Sequence, residues 1–449
     1  KAQGNSGGER GASLVTQSQP QAEYPASWYA ATAQILARRP ELSGTMSCEV
    51  CVIGGGLAGL TLSHELARRG RNVVLLEANR IGWGASGRNG GFVSAGFAEG
   101  IISIIKRVGL DEAKALYKLS IEGLDHVRRI IAERDPTITM GEGWVVAQRY
   151  PDADGQRRVS ELLNREFGQR TIVLDTAETR RLLRSEIYFD SRFDPSAFHI
   201  HPLRYCLALA AAAEDSGARL FEATRVQRVI DDKRPFQLVT GQGRITADHV
   251  VYCMSAHDRH LAGAAGRAVL PVATYVAVTE ALGERAALAI GTEAAVSDTR
   301  RSGDYYRRVT DGRILWGGRI TTRISEPRQL AAEMKQDMLG VFPQLGHPRV
   351  EFAWSGIMSY AIHKMPIIAE IAPGQWAATA FGGHGLNTTA MAGILIARAI
   401  ADKDGEWRRF TAFGAPWAGG LAGRIGVQLS YWHMQLRDRM DEYRASRQD

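Results

Sequence analysis

Residues 48–77 read CEVCVIGGGLAGLTLSHELARRGRNVVLLE. Cys48–Ile53 is apolar and β-branched, and Gly54–Gly59 is a glycine cluster. Leu57–Arg69 has helical periodicity that stops at Gly70, a natural residue just past a helix end. Asn72–Glu77 is a second apolar run closing on an acid. Strand, helix and strand in so short a span, with both strands apolar throughout, describe a βαβ unit in a parallel sheet covered on both faces.

The glycines predict a nucleotide site. Gly54-Gly55-Gly56-Leu57-Ala58-Gly59 fits GxGxxG: Gly54 permits the tight turn, Gly56 lets backbone approach a pyrophosphate, and Gly59 lets helix and strand pack closely. Free N–H groups at the helix start, around Leu57 and Ala58, favour phosphate. Glu77, with Ala78 after it, stands 21 residues past Gly56, where an acid accepts from ribose hydroxyls.

NAD and FAD share this loop, so the next segments decide. Ile81–Gly91 (IGWGASGRNGG) is a second glycine-rich loop, too long and polar for a simple turn. Its N–H groups, with Ser86, Gly87, Arg88, Asn89, Gly90 and Gly91, suit the second phosphate and a ribityl chain. Phe381–Asn387 (FGGHGLN) joins an apolar strand to a helix, so Gly382, Gly383, His384, Gly385, Leu386 and Asn387 bring a second helix N-terminus to the crevice. Such an end stabilises the negative charge of a reduced flavin.

Composition narrows the alternatives. The chain has 449 residues, 45% hydrophobic and 23% charged, with material for roughly two or three domains. Tyr205–Ala213 is the longest apolar run, far short of the ~18 residues a spanning helix needs, so no transmembrane segment is expected. The net charge is +7, carried by 47 Arg and eight Lys spread along the whole chain without a nucleic-acid motif. No nucleic-acid partner is expected. Four cysteines, Cys48, Cys51, Cys206 and Cys253, do not form an exported disulfide framework, and a cytoplasmic location follows. In an ideal strand, Cys48 and Cys51 point to opposite faces, which favours packing over a redox CxxC.

At these residues the chain resembles the FAD-dependent D-amino-acid oxidase/sarcosine oxidase (DAO) superfamily, and more narrowly its γ-glutamylputrescine oxidase-like members. The likeness runs over about residues 23–440 and includes Trp28-Tyr29-Ala30-Ala31, Ile81–Gly91, Ile200-His201-Pro202-Leu203, Ile314–Gly318 (ILWGG), Phe342-Pro343-Gln344-Leu345 and Leu436-Arg437-Asp438-Arg439. It implies an α/β fold with a discontinuous Rossmann-type FAD-binding domain and an α+β substrate domain built on an antiparallel sheet. The expected division is a disordered tail (1–22), FAD-binding segments 23–100, 195–265 and 359–405, substrate-domain segments 101–194 and 266–358, and a helical C-terminal segment (406–449). Val226 matches the position whose backbone faces the adenine. Neither Cys206 nor Cys253 lies in a flavin-tethering motif, so noncovalent FAD is expected.

The implied chemistry is oxidation of a C–N bond: hydride passes from the carbon beside a neutral amine to flavin N5, and the imine hydrolyses. O2 or an electron carrier is the implied acceptor. Asn387 stands where sarcosine-oxidising members carry a Lys that grips a carboxylate. Either the substrate has no carboxylate at its reacting end, as in γ-glutamylputrescine, or Arg88, Arg319 or Lys364 supplies the cation. His384 and Asn387 are the candidates beside the reacting atoms, with His384 also readable as a structural histidine. Tyr306 and Trp354, chosen from the lobe aromatics Tyr305, Tyr306, Trp316 and Trp354, and His363 complete the expected substrate wall. The Leu421–Met440 stretch is amphipathic and is expected to pack on the flavin domain rather than touch a membrane. The expected function is polyamine catabolism on a small amine. The alternatives are oxidation of a secondary or cyclic amino acid (pipecolate, proline, sarcosine) and a flavin-binding subunit of a larger complex. Oligomeric state is left open.

Overall fold

A computed structural model describes residues 23–300 and 303–445. The tail expected over residues 1–22 lies outside the described residues.

The opening βαβ unit forms as strand Gly44–Ile53, helix Leu57–Arg68 and strand Val73–Leu76. It seeds an eight-stranded sheet whose spatial order is Ile367–Ala372, Gln375–Thr379, Gly243–Tyr252, Gly44–Ile53, Val73–Leu76, Arg219–Phe221. Pairing is parallel from Gln375–Thr379 through to Arg219–Phe221. Ile367–Ala372 caps one edge antiparallel, and a hairpin of Arg228–Ile230 and Phe236–Val239 lies against Gly243–Tyr252. Three separate stretches of chain thus build one sheet. Helices Leu57–Arg68, Leu110–Arg134, Pro202–Asp215 and Gly385–Asp402 share a large apolar cluster with one face of this sheet.

A second sheet of nine strands supplies the opposite wall of the molecule. Its order is Val350–Tyr360, Leu270–Thr279, Arg313–Thr321, Tyr305–Val309, Ala295–Asp298, Thr139–Ala147, Ser191–Ile200, Phe92–Val93, with Ile172–Leu174 paired to Ser191–Ile200. All its pairs are antiparallel except Ala295–Asp298 with Thr139–Ala147. Phe92–Val93, within the segment assigned to the first domain, pairs into this sheet, and Ser191–Ile200 runs across the division expected at 194.

Two expectations need correction. Cys48 and Cys51 do not face opposite ways: both are buried in one core cluster with Ile53, while Val50 and Val52 belong to the other. The N–H groups of Glu49 and Val50 both donate to the Asn72 carbonyl, a bulge that breaks the strict alternation. The thiols are free and buried. The C-terminal helix, Gly420–Ala445, does not lie on the nucleotide sheet. It docks on the second sheet through Val427 and Tyr431, which pack with Leu270, Val272 and Met358. The Gln428 side-chain oxygen accepts from the Thr322 N–H and the Thr321 hydroxyl. No helix among the described residues is long and apolar enough to cross a membrane.

Candidate active site

A cleft of about 480 Å3 lies between the two sheets, with lining residues from both. Its nucleotide-sheet side starts at the carboxyl end of strand Gly44–Ile53. Gly54, at φ +111°, makes a turn that L residues rarely adopt, and a Cβ there would meet the Cys253 carbonyl oxygen at 2.7 Å. Gly59 does not line the cleft; a Cβ there would lie 2.1 Å from the Gly54 carbonyl, so its absence of side chain lets helix and strand close up. Gly56, Leu57 and Ala58 do line it. Helix Leu57–Arg68 has no side-chain cap on its first turn, although the Leu57 N–H donates to the Ser86 hydroxyl. One oxygen of Glu77 accepts from the Gly55 N–H and the other from the Asn79 N–H. Burial pushes this carboxyl up against those two bonds. Ala78 and Val226 line the same end, together with Asn79, Thr224 and Arg225.

The second glycine loop crosses the cleft as a single 3-10 turn, Ala85–Gly87. Ser86, Arg88, Asn89, Gly90 and Gly91 are lining residues, whereas Gly87 is packed behind them, where a Cβ would meet the Gly82 carbonyl and the Leu203 side chain. The Asn89 amide folds back, donating to Ala85 and Ser86 carbonyls and accepting from the Gly91 N–H. Arg307 clamps this loop from inside the protein. Fully buried, it donates to the carbonyls of Gly90 and Ile200, to the Tyr29 hydroxyl and to His199 Nδ1. A Cβ on Gly91 would sit 2.6 Å from this guanidinium.

Gly382, Gly383, His384, Gly385 and Leu386 bring the uncapped N-terminus of helix Gly385–Asp402 to the other part of the cleft. His384 Nε2 lies 3.1 Å from the carbonyls of Ser94 and Ala95, so that nitrogen carries the proton, and burial keeps the ring neutral by pulling its pKa down. The facing wall comes from the second sheet: Thr274, Ile320, Met358, Tyr305 and Tyr360, with Trp144 and Phe92. Tyr305 sits between Gly90 and Gly317, where a Cβ on either glycine would clash with its ring. Its hydroxyl shares a hydrogen bond with Thr274, and burial raises its pKa.

Several expected site residues are elsewhere. Asn387 is buried and turns inward, its amide donating to the carbonyls of Gly96 and Ser120. Tyr306 points to the core behind the sheet, stacked on Trp316 at 4.8 Å with its hydroxyl donating to that of Tyr188. Trp354 backs the loop, its indole N–H donating to the Arg88 carbonyl. Arg319 is held by Glu333 and Asp337. His363 is occupied by the Met365 N–H and the Gly414 carbonyl, and Lys364 is exposed. Of the three expected cations only Arg88 lines the cleft. Its guanidinium stacks 4.9 Å above Trp83, donates to the Ser355 carbonyl, and has no carboxylate at ion-pair distance among the described residues.

Sequence reasoning passed over Trp83, His257, Tyr305 and Tyr360, all in the lining. His257 has a detectable signal, since ligands of such sheets sit beyond the carboxyl ends of strands and Cys253–Asp258 follows Gly243–Tyr252. Trp83 lies inside the second glycine loop itself. Among the described residues no group of three or more His, Cys, Asp and Glu side chains is placed to hold a metal ion.

The profile of the family described as FAD dependent oxidoreductase (DAO) matches residues 49–399. The chain belongs to that family. It is an FAD-dependent oxidoreductase. A probable oxidoreductase, OrdL, of Haemophilus influenzae is 32% identical over 87% of this chain and 92% of its own length. Gamma-glutamylputrescine oxidoreductase of Escherichia coli is 31% identical over 93% of this chain and 99% of its own. Among solved structures, L-proline dehydrogenase from P. horikoshii shares the fold with a TM-score of 0.69 at 21% identity, over 83% of this chain and 96% of that one.

The residues of the DAO cleft fit FAD. A dinucleotide needs an acid at its ribose, and Glu77 offers lone pairs beyond the two that Gly55 and Asn79 engage. It needs donors at its pyrophosphate, and a Cβ at Gly56, 2.9 Å from the Ser86 hydroxyl, would fill the cradle beside the first helix N-terminus. The second uncapped N-terminus, at Gly385, meets the same cleft.

Proposed function

We propose that this enzyme oxidises a C–N bond of an amine, with γ-glutamylputrescine or a similar γ-glutamylated polyamine as substrate. The aromatic, uncharged wall of Tyr305, Tyr360, Trp144, Phe92, Thr274 and Met358 carries the reading, because hydroxyls and π faces suit a desolvated amine better than a carboxylate. The full-length likeness to the Escherichia coli gamma-glutamylputrescine oxidoreductase supports it.

FAD, when bound, supplies a two-electron acceptor for the hydride leaving the carbon beside nitrogen. The chain's own groups bind and orient. Tyr305 and Tyr360 hold the amine end, Arg88 takes the carboxylate at the far end of a γ-glutamyl group, and neutral His384 fixes the loop before the second helix. Asn387 acts through that helix rather than on substrate. FAD is held noncovalently in this reading: Cys206 and Cys253 are buried, with the Cys253 thiol pushed up to about 12 and Cys206 raised too, so neither is a ready nucleophile. A cytoplasmic location suits four free thiols.

Anaerobic titration of the holoenzyme, followed by loss of the visible flavin band, tests this. Bleaching by γ-glutamylputrescine and not by proline, pipecolate, sarcosine or glycine is the expected result; bleaching by a cyclic or N-methyl amino acid alone overturns it. Admitting air then separates reoxidation by O2 from dependence on a carrier. Arg88, which lines the cleft and has no carboxylate at ion-pair distance among the described residues, favours the amino-acid outcome as the second reading.

A further inference from the structure

Ser297 and Tyr305 pair across the hairpin of Ala295–Asp298 and Tyr305–Val309, and both line the cleft. Trp144, also in the lining, donates its indole N–H to the Ser297 hydroxyl at 2.9 Å. The neighbours Asp298 and Asp304 lie on the other side of this wall, and both are buried. Gly317 and Gly318 mark the two sides: a Cβ on the first would enter the Tyr305 ring, and one on the second would lie 2.5 Å from Asp304 Oδ1. The Asp304 N–H donates to Asp298 Oδ1 at 3.2 Å, and the Asp298 N–H donates to the Asp304 carbonyl at 2.9 Å. Arg300 pairs with both carboxylates.

We propose that Asp304 is a positioning residue for the substrate wall, setting the place of Tyr305 according to whether its carboxyl is ionised. The inference rests on the reading of Tyr305 as a residue that holds the amine. Asp304 acts on Tyr305 from two directions. One is the backbone, since the two residues are consecutive and Arg300 grips the first. The other ends at the Tyr305 hydroxyl. The Asp304 carboxyl packs on Gly318, the Gly318 carbonyl accepts from the Thr274 hydroxyl at 3.1 Å, and that hydroxyl shares a hydrogen bond with Tyr305.

Charge makes the carboxyl responsive. Arg149 reaches Asp298 at 3.5 Å and Glu442 of the C-terminal helix at 2.8 Å, and Arg300 reaches Glu442 at 3.8 Å. Asp298, Asp304 and Glu442 against Arg149 and Arg300 leave one negative charge uncompensated among the described residues. A buried charge of that kind is costly unless it takes up a proton. The other neighbours do not balance it: Arg319 is engaged by Glu333 and Asp337, and burial keeps the Tyr188 hydroxyl neutral. Burial above all, with Asp298 and Asp337 adding to it against Arg300, pushes the Asp304 carboxyl up to about 7. Protonated, Asp304 neutralises the cluster and leaves the wall in place. Ionised, it draws harder on Arg300 and displaces the start of the Tyr305 strand.

Steady-state kinetics of the holoenzyme from pH ~6 to ~9, with whichever amine bleaches its flavin, is the test. The ratio of kcat/KM in Asp304→Asn, permanently neutral, to that in wild type cancels the amine's own ionisation. It should rise through pH ~7, by as much as ~10-fold one unit above, and through KM rather than kcat. Asp337→Asn keeps the Asp304 carboxyl but removes a neighbouring negative charge and releases Arg319, so the wild-type bend should move to lower pH. Without any amine, the flavin's visible band should change across the same range in wild type and not in Asp304→Asn, because Tyr305 abuts Gly90 of the second glycine loop. A level ratio, a bend that Asp337→Asn does not move, or a band that responds alike in both proteins overturns the proposal. Oxidation of an amino acid instead of γ-glutamylputrescine would sink the substrate reading and leave these comparisons standing.

Discussion

Removing the Asn387 amide would leave two buried carbonyls, those of Gly96 and Ser120, without its donors. Asn387→Ala should therefore lower folding stability by about 1–3 kcal/mol in denaturant titrations and weaken FAD binding, with KM for the amine unchanged. A raised KM at unaltered stability would return Asn387 to the substrate. Tyr305 and Tyr306 make a paired test, because neighbours in a strand face opposite ways. Tyr305→Phe should reduce kcat/KM with little loss of stability. Tyr306→Phe should leave kinetics intact and cost about 1 kcal/mol through the bond to Tyr188. The reverse pattern would mean that the wall is misassigned.

The helices that carry the FAD-facing ends are held by close approaches at glycine. A Cβ at Gly123, on helix Leu110–Arg134, would lie 2.1 Å from the Asn387 carbonyl, and one at Gly393 would lie 2.7 Å from Thr61 Cβ. Gly123→Ala must push helix Gly385–Asp402 aside, at a cost of about 1–3 kcal/mol, and should purify with less flavin per chain. Gly340, on helix Leu330–Val341, has nothing within 4 Å of its Cβ position. Gly340→Ala should stabilise by about 0.5–1 kcal/mol and keep full flavin content. Equal flavin loss in both variants would sink the argument from packing.

Across the whole molecule, buried histidines weigh on the acid side of stability, and three of them carry the largest shifts. Burial first, then the Arg307 cation, holds His199 and His201 down to about 3, and burial holds His126 down to about 4. In the unfolded chain each titrates near its ordinary 6.5. Between that value and 3–4 the unfolded chain binds more protons, so this contribution is complete above about pH 6.5 and is lost as pH falls through the window. The urea midpoint should drop between pH ~7 and ~5 by the equivalent of a few kcal/mol. A flat midpoint over that range would show that these rings do not govern it, the buried Asp304 carboxyl, raised to about 7 by burial, acting in the opposite direction.

The βαβ unit, the FAD class and the two glycine loops were legible in the chain because their determinants are local. Gly54, Gly56 and Gly59 lie within six residues, and Glu77 answers them one crossover later. Some site residues needed the folded molecule. Choosing Tyr306 over Tyr305 is an error of one residue, and in a strand one residue is the whole difference between core and cleft. Arg319 and Arg88 look alike in sequence, yet Glu333 and Asp337 neutralise the first while the second has Trp83 and backbone carbonyls. The Asn387 amide is aimed by Ser120, far away in the chain. Sequence alone determined which backbone conformations and which nucleotide this protein suits, since those follow from short-range sterics and spacing. Tertiary structure decided which side chains face the substrate, since register and distant partners choose the face of each strand and the fate of each charge.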